Sequence, residues 1–243
     1  MTQTTSTSRY AEKLEAELNR MVNEQFDSPE FRLMFDTPLT MERARYFALQ
    51  FVFYNVNRRD CWAYVQAKAP WEVKRAIWEH ESDELHFDKR GGSDHRGLMT
   101  KEAMALGVTA EQVAKAEPSS LITATMWGFN HINITHPWLG AITASHFLER
   151  RNNNKLIKSG RGSTKRWRDR LVQELGIDPA GLSSSNVHVV ADEEHTDLIW
   201  ETVRRHVTDE ESYKLALNGA RESAQLDRAV RGAMATGMRL IEG

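Results

Sequence analysis

Apolar positions recur at helical spacing along most of the chain, and no run alternates with the period of two that marks a half-buried strand. Leu14, Leu18 and Met21 lie on one face of a helix predicted from about Arg9 to Phe26. Asp27-Ser28-Pro29 reads as a turn whose proline opens a short second helix. A long helix after Thr40 carries Tyr46, Phe47, Phe51, Phe53 and Tyr54. Pro70 sits at the first turn of the next helix, which carries Glu79 to His86 and ends at Gly91-Gly92-Ser93. Thr100 starts a short helix ending at Gly107, and Thr109 with Gln112 has the pattern of a capping box for another. Two helices split near His136-Pro137, a basic helix runs to Gly176, and a further helix carries His188 to His195 and extends to His206. Thr208 with Glu211 caps a last helix that runs nearly to the end. The pattern predicts an all-α protein: residues 1–8 as a polar tail, and residues 9–243 as one helical bundle domain.

The stretch from Pro118 to Leu148 contains no charged residue, long enough to suggest a membrane span. Asn130, His131, Asn133 and His136 lie in its middle, and Pro137 interrupts it. Hydrocarbon would penalise those polar groups, so the stretch is predicted to be the central, buried helical layer of a bundle. Hydrophobic residues make up 40% of the chain, enough for a sizeable core, and the formal charge of -2 gives no pull toward nucleic acid or anionic membrane. The one cysteine, Cys61, excludes an internal disulfide framework. With the polar start MTQTTSTSRY, it sets the expectation of a cytoplasmic protein.

One spacing occurs twice. Glu79, Asp83 and His86 sit at i, i+4 and i+7, and His188, Asp192 and His195 repeat it. On a helix these positions fall within about 60° of one another, so each set forms a stripe of carboxylate and imidazole. The first stripe lies in a segment polar all round, where a solvated face is an equal reading. The second is flanked by Val187, Val190, Ala191, Leu198 and Ile199, which implies burial and a desolvation cost that metal coordination would offset. Carboxylates with several imidazoles suit a dinuclear iron or manganese centre between facing helices. A sixth ligand is expected from the central layer. Glu149 continues the face of Ile142 and Ser145, and a carboxylate can bridge two ions; His146 is the alternative.

The pattern E-x6-H (Glu79, His86), a central-helix Glu149 and H-x3-D-x2-H (His188, Asp192, His195) resembles the haem-oxygenase-like diiron oxidases and oxygenases, from about Thr40 to His206. The resemblance implies a seven-helix core and two Fe(II) ions, the second weakly held. Dioxygen is the implied co-substrate, with an external electron donor. It implies Glu79, His86, Glu149, His188, Asp192 and His195 as metal ligands. Some members use a carboxylate three residues before the first histidine, here Asp83. Others add a glutamate from the preceding helix, where this chain offers Gln50. Such enzymes act on small acids, by amino-acid C–C or C–N cleavage, N-oxygenation, fatty-acid decarboxylation or nitrile formation from tryptophan.

An amino-acid substrate is the leading expectation, aromatic by weak preference, and a fatty acid is the runner-up. Trp127, Phe129, Trp138 and Phe147 are candidates to line an aromatic pocket, with core filling as their ordinary role. Asn130, His131 and Asn133 are candidates for holding an amino-acid head group, and the six basic residues from Lys158 to Arg170 for clamping a carboxylate. A metal-free relative of thiaminase type would need Cys61 as nucleophile, without an evident local base. True haem oxygenase is disfavoured because no histidine precedes His80. A metal-free helical binding protein is the non-enzyme alternative, and a homodimer is compatible with the fold class.

Overall fold

Helix starts in this protein are fixed by side chains that accept from the first free amides. Ser8 caps α1 (Arg9–Glu24), and Ser28 caps α2 (Pro29–Asp36), which opens on its proline. Thr40 caps the long α3 (Met41–Lys68), and Pro70 precedes α4 (Trp71–Leu85). Asp94 caps α5 (His95–Ala105), and Thr109 with Gln112 forms the expected capping box of α6 (Ala110–Lys115). Ser119 caps α7 (Ser120–Thr135), and Pro137 separates it from α8 (Trp138–Arg150). The last three are α9 (Ser163–Leu175), α10 (Ser183–Arg204) and α11 (Glu210–Arg239). Asp209 with Ser212 forms the capping box of α11, one residue later than the expected Thr208–Glu211 pair.

This computed structural model describes residues 8–242. The polar tail expected at residues 1–8 lies outside the described residues except for Ser8. Among the described residues the architecture is all-helical, as the periodicity predicts. The one β-type pairing is an isolated bridge between Asp88 and Ser93.

Helix α8 is the axis of the bundle, with every residue from Leu139 to Arg150 buried. It packs against α11 on one side and against α10 and α3 on others. The α8–α11 crossing is backbone to backbone: a Cβ built on Gly219 would stand 2.0 Å from the carbonyl oxygen of Gly140. Ser223 of α11 donates to the Ala144 carbonyl at 2.7 Å, one turn further along. Arg151 and Arg231 then share Asp227, at 2.8 and 3.0 Å, and tie the end of α8 to α11.

The uncharged stretch divides unequally. Helix α8 is buried as expected, but α7 exposes Leu121, Trp127 and Ile134. It packs by one side on α3, α8 and α11 and turns the other to solvent, so absence of charge did not mean burial. No described helix is long and apolar enough to cross a membrane.

Gly219→Ala should lower unfolding free energy by about 3 kcal/mol, because the added methyl forces α8 and α11 apart. Urea denaturation followed by circular dichroism would measure it, and an unchanged midpoint would contradict the close crossing.

Candidate metal centre

The inward face of α4 is set by Val73, Ala76 and Ile77, all buried. Continuing that face by one and two turns gives His80 and Glu84. Helix α5 begins with His95, α8 contributes Glu149, and α10 contributes His188, Asp192 and His195. All seven are buried. They form three overlapping groups, His80–Glu84–His195, Glu84–His95–His188 and Glu149–Asp192–His195. Within each group the potential ligand atoms lie within 4.8 Å of one another. Glu84 belongs to two groups and His195 to two, so the site is continuous.

The hydrogen bonds around the histidines all lead outward. His80 Nδ1 bonds Glu81 at 2.9 Å, and His95 Nε2 bonds Asp88 at 2.9 Å. His188 Nδ1 donates to the Ser184 carbonyl at 2.9 Å, and His195 Nε2 faces Asp83 at 3.4 Å. Several inward atoms lack partners. His80 Nε2, His195 Nδ1 and both carboxylate oxygens of Asp192 are buried with no hydrogen bond. His95 Nδ1 and Glu84 Oε2 meet as an ion pair at 3.0 Å, with Arg59 Nη1 2.9 Å from the same oxygen. A buried polar atom without a partner costs about 1–3 kcal/mol, and several converging on one point are a donor set without an acceptor of their lone pairs. An imidazole whose outer nitrogen is fixed presents its inner lone pair, the arrangement a metal-ligating histidine needs. The donor chemistry, four imidazoles and three carboxylates with no thiolate, fits iron or manganese.

The electrostatics reflect this crowding. Burial and the neighbouring His95 press His188 down to about 4. Burial also lowers His95, but Glu84 and Asp88 outweigh it and raise the imidazole to about 9. Burial, then the charges of Glu149 and Glu84, push Asp192 well above the usual carboxylate range. Burial would raise Glu84 and Glu149 as well; Arg59 and His95 hold Glu84 low, and Arg58 and His80 hold Glu149 low. Arg58 Nη2 donates to Glu149 at 2.9 Å.

Of the residues singled out from sequence, the structure brings together Glu149, His188, Asp192 and His195. Glu79 and His86 are exposed and stay outside the site. Glu79 is one residue, about 100° of helix, away from the buried face, and α4 ends at Leu85, which leaves His86 beyond its last turn. The α4 residues that the structure brings to the cluster are instead His80 and Glu84, with His95 delivered by the following helix. Asp83 supports His195 rather than facing the centre, and Gln50 caps the start of α7 by accepting from Ser119. His146 is a core histidine: it accepts from Arg150 at 3.1 Å and stacks on Trp200.

A cavity of about 590 Å³, counting space open to solvent, reaches His188. Met34, Phe47, Phe51 and Trp167 wall it, and Arg151 and Arg231 line it. Phe47 stacks on Trp167 with ring centroids 3.7 Å apart. It adjoins a narrower space lined by Arg58, Arg59, Glu84, Glu149 and Asp192. The expected aromatic lining is elsewhere: Phe129 and Phe147 are core, Trp127 is 70% exposed, and Trp138 packs edge-on to His206. Asn130 accepts from Asn57, and Asn133 bonds Phe129 and Ser145, so both serve the α3–α7–α8 packing.

Replacing the orphaned acid with an apolar group, Asp192→Val, should stabilise the metal-free protein by about 1–3 kcal/mol, the size of the desolvation it relieves. Urea denaturation in chelator would show it, and a loss of stability would mean that Asp192 has a partner after all.

Comparison with known proteins follows the same line. No curated protein sequence is significantly similar. Three solved structures share the fold at low identity. The first, from Shewanella denitrificans, is a domain of unknown function with a heme oxygenase-like fold. It has 14% identity and a TM-score of 0.75, covering 94% of this chain and 93% of that one. A CADD-like protein of unknown function from Nostoc punctiforme has 15% identity and a TM-score of 0.74, covering 93% and 97%. A TenA homologue from P. horikoshii has 17% identity and a TM-score of 0.61, covering 94% and 99%. Residues 45–228 match the model of a family described as iron-containing redox enzymes. With the fold, the buried imidazole–carboxylate cluster and a match over most of its length, this chain belongs to the iron-containing redox enzyme family.

Proposed function

We propose that the cluster holds two iron ions and that the protein is a dioxygen-dependent oxidase or oxygenase of a small organic acid. The observation that carries this reading is a buried imidazole–carboxylate cluster drawn from four helices, several of whose inner atoms are unpartnered while the outer histidine nitrogens are fixed. One ion would lie among His80, Glu84 and His195 with Glu149 and Asp192 at hand, and the other among Glu84, His95 and His188. Glu84 belongs to both groups and would be a ligand common to the two ions. Bound ferrous iron supplies the electrons for dioxygen reduction, replenished by an external donor.

The chain's own residues define the rest of the chemistry. Glu81, Asp88, Asp83 and the Ser184 carbonyl hold the four imidazoles in one orientation each. Arg58 and Arg59 neutralise carboxylates that would otherwise repel one another. Phe47, Phe51 and Trp167 keep bulk water from the side of His188 and offer flat apolar contact to a substrate. Arg151 and Arg231, which share Asp227, are the cationic groups on this wall, and Glu102 is the carboxylate that lines it with them; the two guanidiniums are the groups an acid would meet. These features support a small acid with an aromatic or apolar body. An amino acid undergoing oxidative cleavage or rearrangement, of the tryptophan-to-nitrile type, is the sharpest version. A fatty acid undergoing decarboxylation is the alternative.

The thiaminase-type reading is weakened by Cys61. Burial raises its thiol to about 11, and its polar neighbours are Asn57 and Asn130, neither of them a base.

Anaerobic titration with ferrous iron should load two ions per chain and release a proton, because His95, raised to about 9, holds one at neutral pH that coordination must displace. His95 has its folded value raised to about 9, so affinity should climb as pH rises toward that value. Combined His188→Ala and His195→Ala should abolish loading. Undiminished binding in that variant, or none in the wild type, would overturn the proposal. Oxygen uptake by the loaded protein, screened with aromatic amino acids and medium-chain fatty acids, then separates the substrate readings.

A further inference from the structure

Helix α4 stops at Leu85, yet His95 faces the centre from the first residue of α5. The intervening residues 86–94 fold back on themselves. The Asp88 amide donates to the Ser93 carbonyl at 3.0 Å, and the Gly92 amide donates to the Asp88 carbonyl at 2.8 Å. Gly92 has φ +67°, which only glycine adopts without strain. His95 therefore owes its position to a turn, whereas His80, His188 and His195 sit within continuous helices.

One side chain ties this turn to its surroundings. Arg90 Nε donates to Asp88 Oδ1 at 2.8 Å, and Nη2 donates to Asp88 Oδ2 at 2.9 Å. Nη2 also reaches Asp83 on α4 at 2.5 Å, and Nη1 reaches Glu194 on α10 at 2.5 Å. Asp88 in turn bonds His95 Nε2. A planar guanidinium can engage three carboxylates in fixed directions, which an ammonium cannot. The pairs to Asp83 and Glu194 are partly exposed and each alone would contribute little, but with the buried Asp88 they act together on one short segment.

We propose that Arg90 is a positioning residue for the metal held by Glu84, His95 and His188, acting through Asp88 on the orientation of His95. This rests on the dinuclear reading of the site. Arg90 clips the 86–94 turn onto α4 and α10, so that His95 Nδ1 points at Glu84. The asymmetry follows from the backbone: His195, which Asp83 supports, is carried by α10 whether or not the clip is closed. The fold does not need the clip. Helix α5 is joined to α10 by Leu98, Val187 and Ala191, and Gly91 packs on Leu98 and Val187.

Manganese(II) binding, counted by electron paramagnetic resonance and calorimetry, tests this apart from activity. Wild-type uptake of two exchange-coupled ions supports the dinuclear reading, and uptake of one or none overturns both it and the role given to Arg90. With two ions in the wild type, Arg90→Met should bind one at wild-type affinity and the other about 10–100-fold more weakly, leaving a mononuclear spectrum at one equivalent. Arg90→Lys should fall between, and Glu194→Gln, at an exposed position, should weaken the same ion to a lesser degree. Arg90→Met added to His95→Ala should cost nothing beyond His95→Ala alone. Unchanged affinity for both ions in Arg90→Met, or equal loss at both, would overturn the proposal.

Discussion

Seven ionisable side chains are withdrawn from water at one point between α4, α5, α8 and α10, and several of their inner atoms, both oxygens of Asp192 among them, find no hydrogen-bond partners. Helix packing does not offset that cost, because the surrounding apolar contacts would form equally well around apolar residues. The arginines Arg58 and Arg59 neutralise part of the carboxylate charge but do not reach Asp192, whose two oxygens are both orphaned. The donor set is compatible with a cation at its centre. Membership of the iron-containing redox enzyme family supplies the class of cation independently of the geometry.

The rest of the bundle is arranged to hold that point still. Close crossing of α8 and α11 at Gly140 and Gly219 brings Glu149 inward on a helix buried along almost its whole length. The Arg151–Asp227–Arg231 group then locks the end of α8 and forms the charged wall of the cavity beside His188. Ligand position and substrate space are thus set by the same few helices. The one exception is the turn at residues 86–94, where position depends on side-chain hydrogen bonds instead of helix geometry.

That division explains how much could be read from the sequence. The all-α class followed from periodicity, and His188, Asp192 and His195 were legible because α10 runs unbroken through them, so spacing equals geometry. Glu149 was legible from the face of Ile142 and Ser145. Glu79 and His86 fall outside the buried cluster because Glu79 is one position off the buried face of α4, and His86 lies beyond its end at Leu85. The signal that would have found His80 and Glu84 was present: Val73, Ala76 and Ile77 define the buried face, and both residues continue it. His95 was hidden behind Gly91-Gly92, which reads as an ending but is a turn between two contributing helices. The cavity wall escaped notice because Phe47 and Trp167 meet across distant segments, and no local pattern joins them.

The buried cluster is proposed to ligate iron through its inward-facing atoms. Crystals grown anaerobically with ferrous iron, with anomalous diffraction collected at the iron edge, test it most directly. Two peaks are predicted. One should be bounded by His80, Glu84 and His195 with Glu149 and Asp192, and the other by Glu84, His95 and His188. Each should lie about 2.0–2.2 Å from its ligating nitrogens and oxygens, the range for metals of this size. Iron bound at Glu79 and His86, or no anomalous density within the buried cluster, would contradict it.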